Sequence, residues 1–312
     1  MAGSRLRAAT RGSQLARWQA SRVATLLEAA HPGLQVELVL VETAGDRRRD
    51  VPLWEVGGQG IFVKEVQAAV LDGGADFAVH SAKDLPSTTA PGLALAAVPE
   101  RGDPRDALVG STLDGLGVGA RVATGSVRRR AQLAWLRPDL TFAGLRGNIG
   151  TRLQRVAEHD AVVIAMAALE RLGLVDDLAA TAGAWEALDP SVLLPQVGQG
   201  ALAAECRADD GQTRARLAVV EHGPSRRAVD AERAFLARLG GGCDLPVGAY
   251  GREGADGELS LEGLIASADG RMVVRRQRTG PVADPAGLGT GLAEELLERG
   301  GASVLFSGDA TA

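Results

Sequence analysis

The 312 residues correspond to two or three domains at roughly 150 residues each, and 46% hydrophobic with 23% charged residues is a globular composition, which excludes a disordered, collagen-like or coiled-coil chain. A net charge of -5 and an aromatic share of 3% argue against nucleic acid and anionic membrane surfaces as partners. No apolar run reaches the ~18 residues of a membrane span and the first residues lack the apolar core of a secretory signal, so a cytoplasmic location is expected.

In chain order, residues 6–10 are predicted as a strand, Ser13 as the cap of a helix carrying Leu15, Trp18, Val23, Leu26 and Leu27, and residues 36–41 as a second strand. Residues 43–60 show no periodicity and carry a charged run, so they are expected to form a loop, a candidate lid. A helix is predicted over 63–71, stopped by Gly73 and Gly74, then strands over 77–80 and 93–98. The rhythm resumes after Pro104 with strand 121–124, helix 126–136, strand 141–144, helix 149–158, strand 161–165 and helix 166–172. Strands alternating with helices imply parallel or mixed sheets covered on both faces, here as two α/β domains facing each other across a cleft. Beyond residue 224 the pattern changes to helix 225–239, strands 247–252, 259–265 and 272–278 separated by Asp-Gly pairs, and helix 286–299. That is a small α+β third domain.

Familiar signatures are mostly missing. There is no P-loop, no GxSxG elbow and no metal-ligand spacing among the four histidines, so no metal is expected. Gly198 to Ala203 fits a degenerate dinucleotide fingerprint, but the residues after Gly200 read as a strand where that motif needs a helix. Two cysteines, Cys206 and Cys243, are too few for a disulfide framework. Cys206 has apolar neighbours and reads as buried and inert. Cys243 follows three glycines, a setting that suits either a structural thiol or one presented for covalent work.

The basic charge is nearly all arginine, Lys64 and Lys83 being the only lysines. Between Arg121 and Arg155 stand eight arginines against the single acid Asp139. A charge run is often a solvated helix face, but Ser126, Arg128 and Arg129 open a helix directly after a strand, and Arg146 with Asn148 occupies the next such turn. Those turns lie where open α/β sheets bind ligands, and arginine forks there suit carboxylates or phosphates. Lys83 and Asp84 follow the carboxyl end of another predicted strand. They are either a surface ion pair or a cation beside a carboxylate placed for proton transfer or for balancing a developing positive charge. His80 reads as a core histidine.

Taken in order, ATRGSQLARWQA (9–20), GGQGIFVKE (57–65), HSAKDLP (80–86), ERGDPRDALV (100–109), TGSVRRRAQL (124–133), LRGNIGTRL (145–153), VGQGALAAECR (197–207) and GGGCDLPVGAY (240–250) cover nearly the whole chain. Together they resemble the porphobilinogen deaminases, also called hydroxymethylbilane synthases. The resemblance implies two α/β domains like those of periplasmic binding proteins and a smaller C-terminal domain: 1–99 with 196–221, 100–195, and 222–312. It implies a transferase of porphyrin and haem biosynthesis that condenses four porphobilinogen molecules head to tail, with loss of ammonia, on a dipyrromethane cofactor held by a thioether to Cys243. By motif, Asp84 is the catalytic carboxylate, and Lys83, Asp84, Ser126, Arg128 and Arg129 hold the cofactor. Arg11, Ser13, Gln19, Arg146, Arg152, Arg171 and Gln199 receive porphobilinogen or the growing polypyrrole, whose acetate and propionate groups add two negative charges per cycle. A monomer is expected, handing its product to uroporphyrinogen-III synthase. Two positions depart from the family: Gln59 stands where lysine is usual and Gly125 where serine is usual. The competing class is a cytoplasmic sensor of an anionic ligand, which explains the arginines but gives Cys243 and Asp84 nothing to do.

Overall fold

A computed structural model describes residues 4–47, 60, 63–241 and 245–306. The first stretch runs β1 (Arg5–Arg11), α1 (Gln14–Ala30), β2 (Gln35–Val41), a helical turn Ala44–Arg47, α2 (Lys64–Leu71), β3 (Phe77–Ser81) and β4 (Leu93–Ala97). The second runs β5 (Asp106–Gly110), β6 (Arg121–Ala123), α3 (Val127–Leu136), β7 (Thr141–Ala143), α4 (Ile149–Gln154), β8 (Ala161–Ala165), α5 (Met166–Arg171), α6 (Leu178–Ala182) and β9 (Ala184–Leu188). Then follow β10 (Leu202–Arg207), α7 (Gly211–Leu217), α8 (Gly223–Arg238), β11 (Val247–Glu253), β12 (Glu258–Ala266), β13 (Val273–Pro281) and α9 (Pro285–Leu296). The loop expected over 43–60 lies mostly outside the described residues, and its first residues are ordered differently: Thr43 is buried and Ala44–Arg47 is helical.

By compactness the chain divides into two units, Met1–Gly102 with Ala201–Arg226, and Asp103–Gly200 with Arg227–Ala312. The first unit holds a five-stranded sheet in the order β2-β1-β3-β10-β4. β1 is parallel to β2 and β3, whereas β10 is antiparallel to both β3 and β4. The second unit holds a five-stranded sheet in the order β7-β6-β8-β5-β9, with β5 antiparallel to both of its neighbours, and a three-stranded antiparallel sheet β11-β12-β13. The interior strands β3, β8 and β5 are buried on both faces, the pattern of a sheet covered on two sides. Leu6, Ala8, Phe77 and Val79 pack on one face of the first sheet, with Ala9 and Ala78 on the other. Leu108, Val122 and Val163 likewise alternate with Ala107, Val109, Ala123, Val162 and Ile164 in the second. This two-residue period is what a strand imposes. Burying a side chain such as Phe77 completely contributes about 1.5–3 kcal/mol.

Candidate active site

In the first unit, the parallel pairing of β1 with β3 brings their carboxyl ends to one sheet edge, the edge at which open α/β sheets take ligands. Arg11 ends β1 and the chain turns into α1, whose cap is Ser13: its hydroxyl accepts from the Ala16 amide at 3.2 Å. Thr10 Oγ1 donates to the Ala16 carbonyl at 3.1 Å, tying the first turn of α1 to the strand end. β3 passes directly into a 3-10 turn, Ala82–Asp84, anchored by the Ala82 amide on the Ala201 carbonyl at 3.0 Å. A pocket at this edge is lined by Arg11, Gln19, His80, Ser81 and Asp84, with Thr10, Ala16, Val63, Val66 and Val79 completing its wall. Apolar walls lower the local dielectric, so charges developing in a ligand there interact strongly with Arg11 and Asp84.

Of the residues expected to act in this region, Arg11, Gln19 and Asp84 therefore meet in one pocket. Ser13 is engaged as a helix cap, and Lys83 sits half-buried in the same 3-10 turn as Asp84. His80 is buried with its Nε2 3.4 Å from the carboxylate of buried Glu205, to which Gln67 Nε2 donates at 2.8 Å. It is a core histidine at the pocket wall.

In the second unit, Ser126 caps α3 by accepting from the Arg129 amide at 3.4 Å. The buried face of that helix opens with Arg128 and Arg129, only 3% and 6% exposed. A charged pair cannot be buried without a counter-charge, and Asp106, the fully buried first residue of β5, provides it. Arg128 Nη2 donates to Asp106 Oδ2 at 2.7 Å, while Arg129 Nε and Nη2 donate to Oδ1 at 3.0 and 2.6 Å. Further bonds run from Arg128 Nη1 to the Leu194 carbonyl at 2.6 Å and from Arg129 Nη1 to the Val163 carbonyl at 2.9 Å. Gln199, also fully buried, donates through Nε2 to Asp106 Oδ1 at 2.8 Å and to the Pro104 carbonyl at 2.7 Å. Burial pushes the Asp106 carboxyl up, but the two guanidiniums outweigh it and hold it well below the usual carboxylate range.

The remaining expected residues are spread around this cluster's own unit. Arg171 Nη2 donates to the Gly200 carbonyl at 2.6 Å, next to Gln199, and burial lowers its pKa to about 10. Arg152 Nε donates to the Gly147 carbonyl at 2.8 Å, bracing the turn that carries Arg146, and Asn148 caps α4 by accepting from the Thr151 amide at 2.9 Å. Gly125 lies where the ends of β6 and β7 converge: a Cβ on it would stand 2.7 Å from the Leu145 carbonyl oxygen. Cys243 and Gln59 lie outside the described residues. Asp106 was not singled out from sequence. Its signal was the excess of arginine over acid between 121 and 155, whose counter-charge had to arrive from elsewhere in the chain.

Parallel strand ends with a carboxylate in a partly apolar pocket in the first unit, and buried arginine forks in the second, define an α/β protein that carries charged groups at the ends of its strands. Residues 6–215 match the family described as porphobilinogen deaminase, dipyromethane cofactor binding domain, and residues 227–298 match porphobilinogen deaminase, C-terminal domain. The chain belongs to the porphobilinogen deaminase family. Among curated proteins it is 50% identical to the porphobilinogen deaminase of Roseiflexus castenholzii over 301 residues, 95% of this chain and 97% of that one. It is 47% identical to that of Trichlorobacter lovleyi over 309 residues, 98% of this chain and 97% of that one. Among solved structures, a marine metagenome TRAP solute-binding protein is similar at 12% identity and a TM-score of 0.42, covering 98% of this chain and 96% of that one.

The described residues fit a carboxylate-bearing group such as dipyrromethane. Among the described residues two buried guanidiniums share one carboxylate, which leaves the cluster one positive charge in excess, and Arg128 Nε is buried with no hydrogen-bond partner there.

Proposed function

We propose that this chain condenses four porphobilinogen molecules head to tail into hydroxymethylbilane, releasing one ammonia at each condensation, as a transferase of porphyrin and haem biosynthesis. The observation that carries this reading is the family match along residues 6–215 and 227–298. The pocket at the ends of β1 and β3 supports it in chemical detail. A dipyrromethane group, when bound, supplies the pyrrole carbon on which the chain is extended, and we assign its thioether to Cys243.

The chain's own residues divide the remaining work. Arg11 and Gln19 line the pocket beside Asp84 and are suited to receive the acetate and propionate of an incoming pyrrole. Loss of ammonia needs a proton on the departing nitrogen and leaves positive charge on the pyrrole. The Asp84 carboxylate can carry the proton and offset that charge, with Val63, Val66 and Val79 in the pocket wall lowering the dielectric around it. Lys83, Ser126, Arg128 and Arg129 are assigned to the cofactor carboxylates, and Ser13, Arg146, Arg152, Arg171 and Gln199 to porphobilinogen or the growing polypyrrole. Among the described residues no helix is long and apolar enough to cross a membrane. We place the reaction in the cytoplasm, carried out by a monomer that passes its product to uroporphyrinogen-III synthase.

The test is an assay of the purified chain with porphobilinogen, reading ammonia release and hydroxymethylbilane formation, beside a denatured intact-mass measurement. Turnover together with a mass increase of two linked pyrrole units is expected. A chain of bare sequence mass that binds porphobilinogen without consuming it would favour the anion sensor.

A further inference from the structure

Three separated segments converge on one buried oxygen pair: the start of β5 supplies the Asp106 carboxylate, the first turn of α3 supplies Arg128 and Arg129, and the approach to β10 supplies Gln199. Asp106 is 0% exposed, so this carboxylate is shielded from solvent and, among the described residues, takes its side-chain hydrogen bonds from those donors. Its two oxygens are divided between the arginines, Oδ2 taking Arg128 and Oδ1 taking Arg129 through two N–H groups. Such a division fixes the planes of both guanidiniums at once. Were Asp106 present only to neutralise a buried charge, one arginine would suffice. The cluster instead keeps a second guanidinium buried, and among the described residues no other carboxylate is bonded to either. One positive charge and the Arg128 Nε donor are left over.

We propose that Asp106 is a positioning residue for cofactor uptake: it holds Arg128 and Arg129 in a fixed orientation and cancels one of their two charges, so that the cluster is set to take a single carboxylate. This rests on the assignment of the two arginines to the dipyrromethane. Within this cluster Gln199 acts through Asp106, as a donor that completes its shell.

The test uses full-length chains purified without cofactor from a host unable to make porphobilinogen. Wild type, Asp106→Asn, Arg128→Met and the double variant Asp106→Asn/Arg128→Met are melted, then given porphobilinogen while denatured intact mass follows the gain of two linked pyrroles. The positioning role predicts that Asp106→Asn gains the increment at least tenfold more slowly than wild type. It also predicts that the double variant, relieved of the surplus charge, regains most of the wild-type melting temperature yet loads several-fold more slowly than Arg128→Met alone, in which Asp106 still orients Arg129. A purely structural Asp106 predicts that the double variant, once its melt is restored, loads as fast as Arg128→Met, and that result overturns the proposal. So does Asp106→Asn loading at the wild-type rate. If Asp106→Asn gives no cooperative melt, the double variant decides by the same comparison. Wild type that never gains the increment sinks the functional reading itself, whereas wild type that loads beside equally fast variants sinks only the role of Asp106.

Discussion

Asp84 ends a three-residue turn whose first amide is pinned to a neighbouring strand, so its carboxylate is held against the pocket wall by backbone and not by a long flexible stem. Asn has nearly its shape but can neither carry the proton nor hold the charge. Asp84→Asn should therefore melt like wild type and still bind porphobilinogen, with turnover lowered about 10²- to 10⁴-fold. Asp84→Glu, with the carboxylate displaced, should lose less. Steady-state rates beside melting curves check both, and an Asn variant within a few-fold of wild type would make Asp84 a structural partner only. The cysteines offer a second contrast. Burial raises the Cys206 thiol to about 11, so it stays protonated at neutral pH and should resist alkylation in the folded chain. Cys206→Ser should keep the covalent pyrroles and Cys243→Ser should lose them; intact mass reads both outcomes. Asp84 and its neighbours were legible in sequence because they form one contiguous motif on one turn. Asp106 was not, because it reaches Arg128 across 22 residues and its partners lie on another element.

At the scale of elements, the sequence reading succeeded where the apolar period was strong: residues 161–165 coincide with β8, and Ser13 and Ser126 cap the helices expected of them. It missed β5, whose first residue is a buried aspartate that reads as loop, and it ran one helix through 149–158 where α4 stops at Gln154 and a 3-10 turn Arg155–Glu158 follows. Gly125 shows how a departure from the family's usual serine is accommodated. Its φ is not positive, so steric room and not backbone freedom calls for glycine here. A Cβ here would crowd the Leu145 carbonyl oxygen at 2.7 Å, closer than real Cβ atoms approach. Gly125→Ser should force apart the turns bearing Ser126 and Arg146, costing about 1–3 kcal/mol as an overpacked substitution does. Chemical denaturation measures this, and a variant as stable as wild type would show that the turns relax freely.

For the whole molecule, the decisive feature is β10, which sits between β3 and β4 although nine strands precede it among the described residues. A linear reading of the β-α rhythm places domain boundaries where the rhythm changes, and nothing local in Leu202–Arg207 reveals that it pairs with residues more than a hundred positions earlier. That return was supplied by the resemblance, whose division into 1–99 with 196–221, 100–195 and 222–312 we retain as a proposal. A chain truncated after residue 200 would leave β3 and β4 without the strand between them, exposing two unpaired edges over an apolar face. Such a fragment should be recovered as aggregate or with the circular dichroism of a partly folded chain. A soluble, cooperatively melting fragment would show that the first sheet closes without β10.

The same insertion has a consequence for the order in which the protein is made. Synthesis delivers residues from the N-terminus at roughly 5–20 per second, so β1 to β4 leave the ribosome first yet must wait, missing an interior strand, until β10 has emerged. All five strands of the sheet β7-β6-β8-β5-β9 lie between Asp106 and Leu188 and are complete before that moment. The segment translated first thus finishes its sheet after the one translated second, and during that interval its apolar strands are the part of the nascent chain most in need of a chaperone.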